Sequence, residues 1–313
     1  MQLDDAIFVA GHRGLVGSAL VRVLERRGHR RLLLRSRQEL DLADAVAVDG
    51  FFQQERPAWV FLAAARVGGI HANSTYPADF ILSNLRIQCN VIESAHRHGA
   101  HKLIFLGSSC IYPRLAPQPM QEVSLLSGPL EPTNQWYAIA KIAGILTCQA
   151  FRRQHGFSAI SLMPTNLYGP HDNFHPENAH VLPSLIRRFH EAKVRGDAQV
   201  VVWGSGTPRR EFLHVDDCAE ACLFLAEHYD DEAIINVGVG ADQTIRELAE
   251  MVRDVVGFPG ELVFDPSRPD GTPRKLLDVS RLNALGWRPR IGLREGIEDA
   301  YRWFIAHQED YRQ

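Results

Sequence analysis

The chain has 313 residues, of which 45% are hydrophobic and 23% are charged, and its formal net charge is −3. This composition is that of a globular protein with a large buried core, and the small net charge gives no reason to expect binding to nucleic acid or to a membrane surface. No apolar run reaches the ~18 residues that span a bilayer. The five cysteines lack C-x-x-C spacing, which indicates reduced thiols in a cytoplasmic protein and no metal site.

The first predicted elements form a dinucleotide-binding unit. A strand over residues 6–10 runs into a G-x-x-G-x-x-G turn, and an amphipathic helix follows as far as Gly28. Glycines in such a turn let backbone N–H groups approach a pyrophosphate at the positive end of the helix. The sequence therefore predicts a cofactor loop that consists of Gly11, His12, Arg13, Gly14, Leu15, Val16 and Gly17.

The end of the second predicted strand, over residues 32–35, indicates which dinucleotide binds. Enzymes selective for NAD usually place an acidic residue there, which binds the ribose 2′-hydroxyl. This chain has Arg37 instead, and Arg13 of the glycine loop faces the same region. Two guanidinium groups suit a 2′-phosphate, so we predict NADP(H) as the cofactor. We interpret Arg35 as a surface charge.

The later elements continue an alternation of strands and helices. Strands are predicted over 59–63, 102–106, 159–163 and 234–237, with helices over 78–99, 137–153 and 213–228. This rhythm predicts an α/β fold, a Rossmann-type doubly wound parallel sheet with a smaller α/β C-terminal substrate domain. We assign residues 1–167 plus about 214–239 to the first domain, and about 168–213 plus 240–313 to the second.

The stretch over 105–141 carries candidate catalytic residues. Ser108 follows a predicted strand, and Tyr137 and Lys141 stand at i and i+4 on a helix, which places them on one helical face. There the ammonium is expected to lower the pKa of the phenol, while the serine hydroxyl holds a carbonyl oxygen. The set resembles that of the short-chain dehydrogenase/reductases. A purely packing role is less favoured because the dinucleotide loop is also present.

A cysteine beside this serine points to chemistry beyond reduction. Ketone reduction has no use for a thiol, but a ketone acidifies the C–H bonds on either side of it. Cys110 as a base and His180 as an acid, with an ordinary pKa near neutrality, could invert those carbon centres. We interpret the other cysteines as packed side chains.

Several motifs together resemble the GDP-L-fucose synthase family of extended short-chain dehydrogenase/reductases. They include GHRGLVGSA, GSSCIYP, EPTN, YAIAKIAG, MPTNLYGPHDNFHPENAHV, VVVWGSGTPRREFLHVDD and PDGTPRKLLDVSRL, and the resemblance runs nearly end to end. It implies that the chain epimerises GDP-4-keto-6-deoxy-D-mannose at C3 and C5 and then reduces C4 with NADPH, which yields GDP-L-fucose. It also implies a homodimer formed through the helices over 78–99 and 137–153.

The resemblance assigns roles to individual residues. Ser108, Tyr137 and Lys141 fall at the reductive positions, Cys110 at the epimerisation base and His180 at the acid. Further cofactor contacts are implied at Arg37, Asp41, Leu42, Leu106, Gly107, Ser108, Ser109, Lys141, Pro164, Thr165, Asn166, Leu167 and His180. Substrate contacts are implied at Arg188, Trp203, Arg210, Asp270 and Lys275.

Three alternatives remain open from the sequence. A GDP-colitose-type synthase would need the same residues, whereas Cys110 and His180 argue against another nucleotide-sugar 4-reductase. A non-catalytic NADP-binding scaffold is disfavoured because Ser108, Tyr137 and Lys141 are all present.

Overall fold

A computed structural model describes residues 1–176, 178–268 and 270–308, without the side chains of Ile70, His71 and Ser74. Two residues within the quoted motifs, Glu177 and Pro269, lie outside the described residues. So do residues 309–313, which belong to the predicted second domain.

The centre of the fold is a six-stranded parallel sheet in the order β2–β1–β3–β4–β5–β10. Its strands are β1 (Ile7–Ala10), β2 (Leu32–Leu33), β3 (Trp59–Leu62), β4 (Lys102–Leu106), β5 (Ala159–Pro164) and β10 (Ile235–Val237). Their sequences are short, nearly continuous apolar runs, as expected for strands buried on both faces. The predicted doubly wound α/β fold is confirmed.

Helices cover both faces of this sheet. They are α1 (Leu15–Arg26) and α7 (Val215–His228) on one face, and α2 (Ala45–Glu55), α4 (Pro77–Arg97) and α5 (Gln135–His155) on the other. Each group shares one hydrophobic core with the strands beneath it. A short helix, α3 (Ile70–Thr75), precedes α4. None of the described helices is both long enough and apolar enough to cross a membrane.

A third hydrophobic core lies in the later part of the chain. It is formed by α6 (Val181–Arg195), α8 (Ile245–Val256) and α10 (Leu293–Ala306) with the paired strands β7 (Gln199–Trp203) and β12 (Glu261–Asp265). Nearby are β6 (Asn166–Tyr168), β8 (Arg209–Arg210), β9 (Phe212–His214), β11 (Gln243–Thr244), β13 (Arg274–Lys275) and α9 (Ser280–Ala284). The division into two domains remains a proposal, and this separate core supports it.

The strand order places a crevice at the carboxyl edge of the sheet. The chain runs from β1 to β2 on one side and from β3 to β4 on the other, so the connections leave the neighbouring strands β1 and β3 in opposite directions. The loop after β1 opens this crevice: Gly11 has a φ of +85°, and a Cβ on Gly17 would lie 2.0 Å from the Gly11 oxygen. Gly17 therefore lets α1 pack directly against the loop.

Candidate active site

A cleft of about 1750 Å³ lies between the carboxyl edge of the sheet and the third core. It is larger than the ~300–1,000 Å³ of a site for one small ligand, so it has room for two. All predicted site residues except Gly17 line it. Gly17 is packed under the loop and does not face the cleft, so the cofactor contact expected there stays a prediction.

One end of the cleft carries the residues predicted to bind the adenosine half of NADP(H). The side chain of Arg37 is 88% exposed, and its guanidinium lies 3.9 Å from the carboxylate of Asp41. The Nδ1 atom of His12 is buried and has no hydrogen-bond partner among the described residues. Arg35 also lines the cleft, but its guanidinium is bonded to Glu55 at 2.7 Å. These groups fit a dinucleotide with a 2′-phosphate.

Lys141 and Tyr137 lie together in the middle of the cleft. The ammonium of Lys141 donates to the main-chain oxygen of Leu106 at 2.6 Å and lies 5.8 Å from the centre of the Tyr137 ring. Burial lowers the pKa of Lys141 to about 8 and raises the pKa of Tyr137. The prediction that the lysine lowers the phenol's pKa is wrong for this cleft without ligands, because desolvation of the phenol dominates.

The short 3₁₀ turn Ser109–Ile111, directly after β4, holds Cys110 beside Ser108. The Ser108 hydroxyl oxygen accepts the N–H of Cys110 at 3.3 Å. Burial raises the pKa of the Cys110 thiol, against the opposing effects of its hydrogen bond with Ser108 and of the charges on Lys275 and Lys141. The geometry therefore places a thiol next to two cations.

His180 stands at the amino terminus of α6, where its main-chain oxygen accepts the N–H of Ser184 at 3.0 Å. Its side chain is open to the cleft but surrounded by protein, and this desolvation, with the charge of Lys275, lowers its pKa. The expectation of an ordinary pKa is wrong. Burial therefore favours the neutral imidazole, and His180 can donate a proton only after it has gained one.

The other end of the cleft carries the predicted substrate residues. Burial lowers the pKa of Arg188, Arg210 and Lys275, and within the described ranges none of the three forms an ion pair. Trp203 is 64% exposed, and the carboxylate of Asp270 accepts the Ser205 N–H at 2.9 Å. Three cations without carboxylate partners beside an exposed indole suit a diphosphate joined to a planar base.

Other residues line the cleft without having been predicted, and three of them carry polar groups near the catalytic candidates. They are Arg66, Glu131 and Asn134. The Oδ1 atom of Asn134 is buried and finds no partner in the part of the chain that the structure describes, while Glu131 is paired with Arg114 at 3.2 Å. Both residues belong to the EPTN motif just before Tyr137, so their proximity to the catalytic helix could have identified them.

Known proteins are similar to the chain over its whole length. GDP-L-fucose synthase 1 of Arabidopsis thaliana is 64% identical over 301 residues, which cover 96% of this chain and 93% of the relative. GDP-L-fucose synthase of Escherichia coli K12 is 58% identical, and the alignment covers 98% of this chain and 98% of the relative.

A solved structure supports the same relationship. The GDP-L-fucose synthetase of Naegleria fowleri bound to NADP superimposes with a TM-score of 0.92 at 30% identity, covering 100% of this chain and 98% of that one. Residues 7–238 match the NAD dependent epimerase/dehydratase family. The chain belongs to that family and, within it, to the GDP-L-fucose synthases.

Proposed function

We propose that this chain converts GDP-4-keto-6-deoxy-D-mannose to GDP-L-fucose by epimerisation at C3 and C5 and NADPH-dependent reduction at C4. Its substrate is a GDP-sugar and its cofactor is NADP(H), as its relatives' names and the NADP-bound neighbour indicate. One observation carries the proposal: a single cleft holds a reductive Ser–Tyr–Lys set together with a thiol and an imidazole that reduction does not need.

In the epimerisation steps, the 4-keto oxygen would sit between the hydroxyls of Ser108 and Tyr137, which stabilise negative charge as an enolate forms. Cys110 as thiolate would take the proton from carbon, and protonated His180 would return one from the opposite face. Each inversion leaves a thiol and a neutral imidazole. The pair must therefore exchange protons with solvent before the second inversion, which predicts that solvent deuterium enters both carbons.

In the reductive step the cofactor supplies a hydride to C4. Tyr137 would give its proton to the oxygen at C4, so the phenol must be protonated when the hydride arrives. Its high pKa in the buried cleft supports that state. Lys141 lies beneath the phenol ring and is well placed to donate to the ribose of the cofactor.

Substrate binding at the other end would use the three cations that lack carboxylate partners. Arg188 and Arg210 would contact the diphosphate, and the exposed face of Trp203 would stack on guanine. Asp270 and Lys275 line the same region.

We also propose a homodimer through α4 and α5. Four large apolar side chains on these helices are unusually exposed: Leu82 (50%), Trp136 (41%), Ile139 (43%) and Leu146 (44%). A row of this kind supports an interface with a second copy of the same helices. The cytoplasm is the proposed location, and it is supported by five cysteines that are free thiols.

The test is incubation with GDP-4-keto-6-deoxy-D-mannose and NADPH, followed by NMR identification of the product. We expect GDP-L-fucose, with deuterium at C3 and C5 when the reaction runs in D₂O. A product reduced at C4 without inversion would identify a simple reductase, and NADPH binding without oxidation would identify a scaffold. Preferred turnover of the 3-deoxy keto sugar would identify a GDP-colitose-type synthase.

A further inference from the structure

Glu211 is a completely enclosed carboxylate between the two ligand-binding ends of the cleft. Its exposed fraction is 0%, and it lies between Arg210 of β8 and the start of β9. Among the described residues it has no ion-pair partner, and it does not line the cleft. A buried carboxylate without a cation requires several hydrogen-bond donors, and these donors reveal what the residue holds in place.

The side chain of Glu211 binds two separate segments through their backbone. Its Oε1 atom accepts the N–H groups of Val239 at 2.6 Å and Gly240 at 2.7 Å, and its Oε2 atom accepts the N–H of Leu277 at 3.1 Å. Leu277 is two residues beyond Lys275 of β13, which pairs with Arg210 of β8. The carboxylate therefore fixes the strand that brings Lys275 beside Arg210.

The main-chain oxygen of Glu211 makes a different set of contacts. It accepts the side-chain amide of Asn166 at 2.8 Å and the hydroxyl of Thr165 at 3.4 Å. Both donors belong to the predicted cofactor loop after β5. The Thr165 hydroxyl also interacts with the Glu211 carboxyl. The backbone of Glu211 thus anchors the cofactor loop through Asn166, whereas its carboxylate is the group that binds the N–H of Leu277, so substitution of the side chain should weaken the hold on the substrate strand more than the hold on the cofactor loop.

We propose that Glu211 is a positioning residue for the nucleotide sugar, because its carboxylate holds β13 so that Lys275 and Arg210 face the GDP moiety together. The inference rests on the proposed function, which identifies the ligand at this end as a GDP-sugar. Glu211 touches neither ligand and acts only through the strand that it anchors.

The test is the purified full chain with Glu211→Gln, studied by titration calorimetry with GDP and with NADP⁺. The amide keeps the shape of the carboxylate, but it offers one acceptor oxygen instead of two, so an N–H group loses its acceptor. We expect the Kd for GDP and the KM for the keto sugar to rise about tenfold or more. The Kd for NADP⁺ should rise much less, by no more than about threefold, because the main-chain oxygen of Glu211 still accepts the side-chain amide of Asn166.

Asp217→Asn is the matched control. The Oδ2 atom of Asp217 accepts the N–H groups of Arg290 at 2.9 Å and Ile291 at 2.8 Å, and this buried residue does not line the cleft. This variant should lower the Tm as Glu211→Gln does, yet it should leave both Kd values unchanged.

Two results would overturn the inference: unchanged GDP affinity in Glu211→Gln, or an equal loss of GDP and NADP⁺ affinity. If that variant does not fold, Glu211→Asp keeps the charge and shortens the side chain by one methylene, and unchanged GDP affinity in it overturns the inference equally. A wild-type chain that binds no GDP and turns over no keto sugar would refute the proposed function itself.

Discussion

Replacement of Lys141 by methionine should change how the stability of the chain depends on pH. Lys141 is 3% exposed, and its pKa is about 8 in the folded chain against ~10.4 when unfolded. Because the folded-state pKa is depressed, burial of the charge destabilises the wild type fully below pH 8, and this penalty disappears as the pH rises past ~10.4. The penalty is about 3 kcal/mol at pH 7 and under ~1 kcal/mol at pH 10.

The wild type should therefore gain about 2 kcal/mol in free energy of unfolding, relative to Lys141→Met, between pH 7 and pH 10. Urea denaturation of both proteins without cofactor measures this difference, and other titrating groups cancel in it. The unpaired oxygen of Leu106 in the variant adds a cost that does not depend on pH.

Lys102→Met provides a control for this titration. Lys102 is also buried and donates to a main-chain oxygen, that of Tyr229, at 2.6 Å, but Asp230 lies 3.9 Å away and opposes the fall in its pKa. The stability difference between Lys102→Met and the wild type should therefore change less with pH than that for Lys141→Met. The Lys102→Met substitution should also leave NADPH binding unchanged. A stability difference between Lys141→Met and the wild type that stays constant from pH 7 to pH 10 would refute the argument from burial.

Three other substitutions test the remaining parts of the proposal. Cys110→Ser should stop solvent deuterium from entering C3 and C5 of the keto sugar, because a hydroxyl loses its proton far less readily than a thiol. Undiminished deuterium exchange, measured by NMR, would exclude this thiol as the base. Arg37→Ser should lower the ratio of kcat/KM for NADPH to that for NADH about tenfold, and an unchanged ratio would mean that the 2′-phosphate binds elsewhere. Ile139→Glu should convert a dimer to a monomer in analytical ultracentrifugation, since it places like charges across the proposed interface, and a persistent dimer would assign the contact to another face.

The central sheet was predictable because its strands are short apolar runs, and β1, β4 and β10 are followed directly by glycine. The helix α2 was not predicted, although Asp44 accepts the N–H groups of Val46 and Ala47 as a typical N-cap. Its apolar residues obscure the pattern: Val48 and Phe52 are buried, whereas Val46 is 83% exposed. A capping residue was the better indication there than hydrophobic periodicity.

The substrate end of the cleft was beyond prediction from local patterns. The strands β8, β11 and β13 have two residues each and come from distant parts of the chain, so hydrophobic periodicity cannot predict them. Their pairing brings Lys275 beside Arg210, and the enclosed carboxylate of Glu211 is one of the distant groups that hold β13 there. Residue types could be assigned to a GDP-sugar by resemblance, but their arrangement depends on contacts between segments far apart in sequence.

The same distinction applies to the charges in the cleft. Spacing alone suggested that Lys141 lowers the pKa of Tyr137, but burial raises the phenol's pKa and that of Cys110 and lowers those of Lys141 and Lys275. Burial therefore disfavours the thiolate that Cys110 would need as the proposed base. NADPH and a GDP-sugar each bring a diphosphate, and negative charge next to a lysine raises its pKa. Binding of both ligands should thus keep the lysines charged and should exclude water from the cleft. A cation beside Cys110 stabilises the thiolate most strongly when water is excluded.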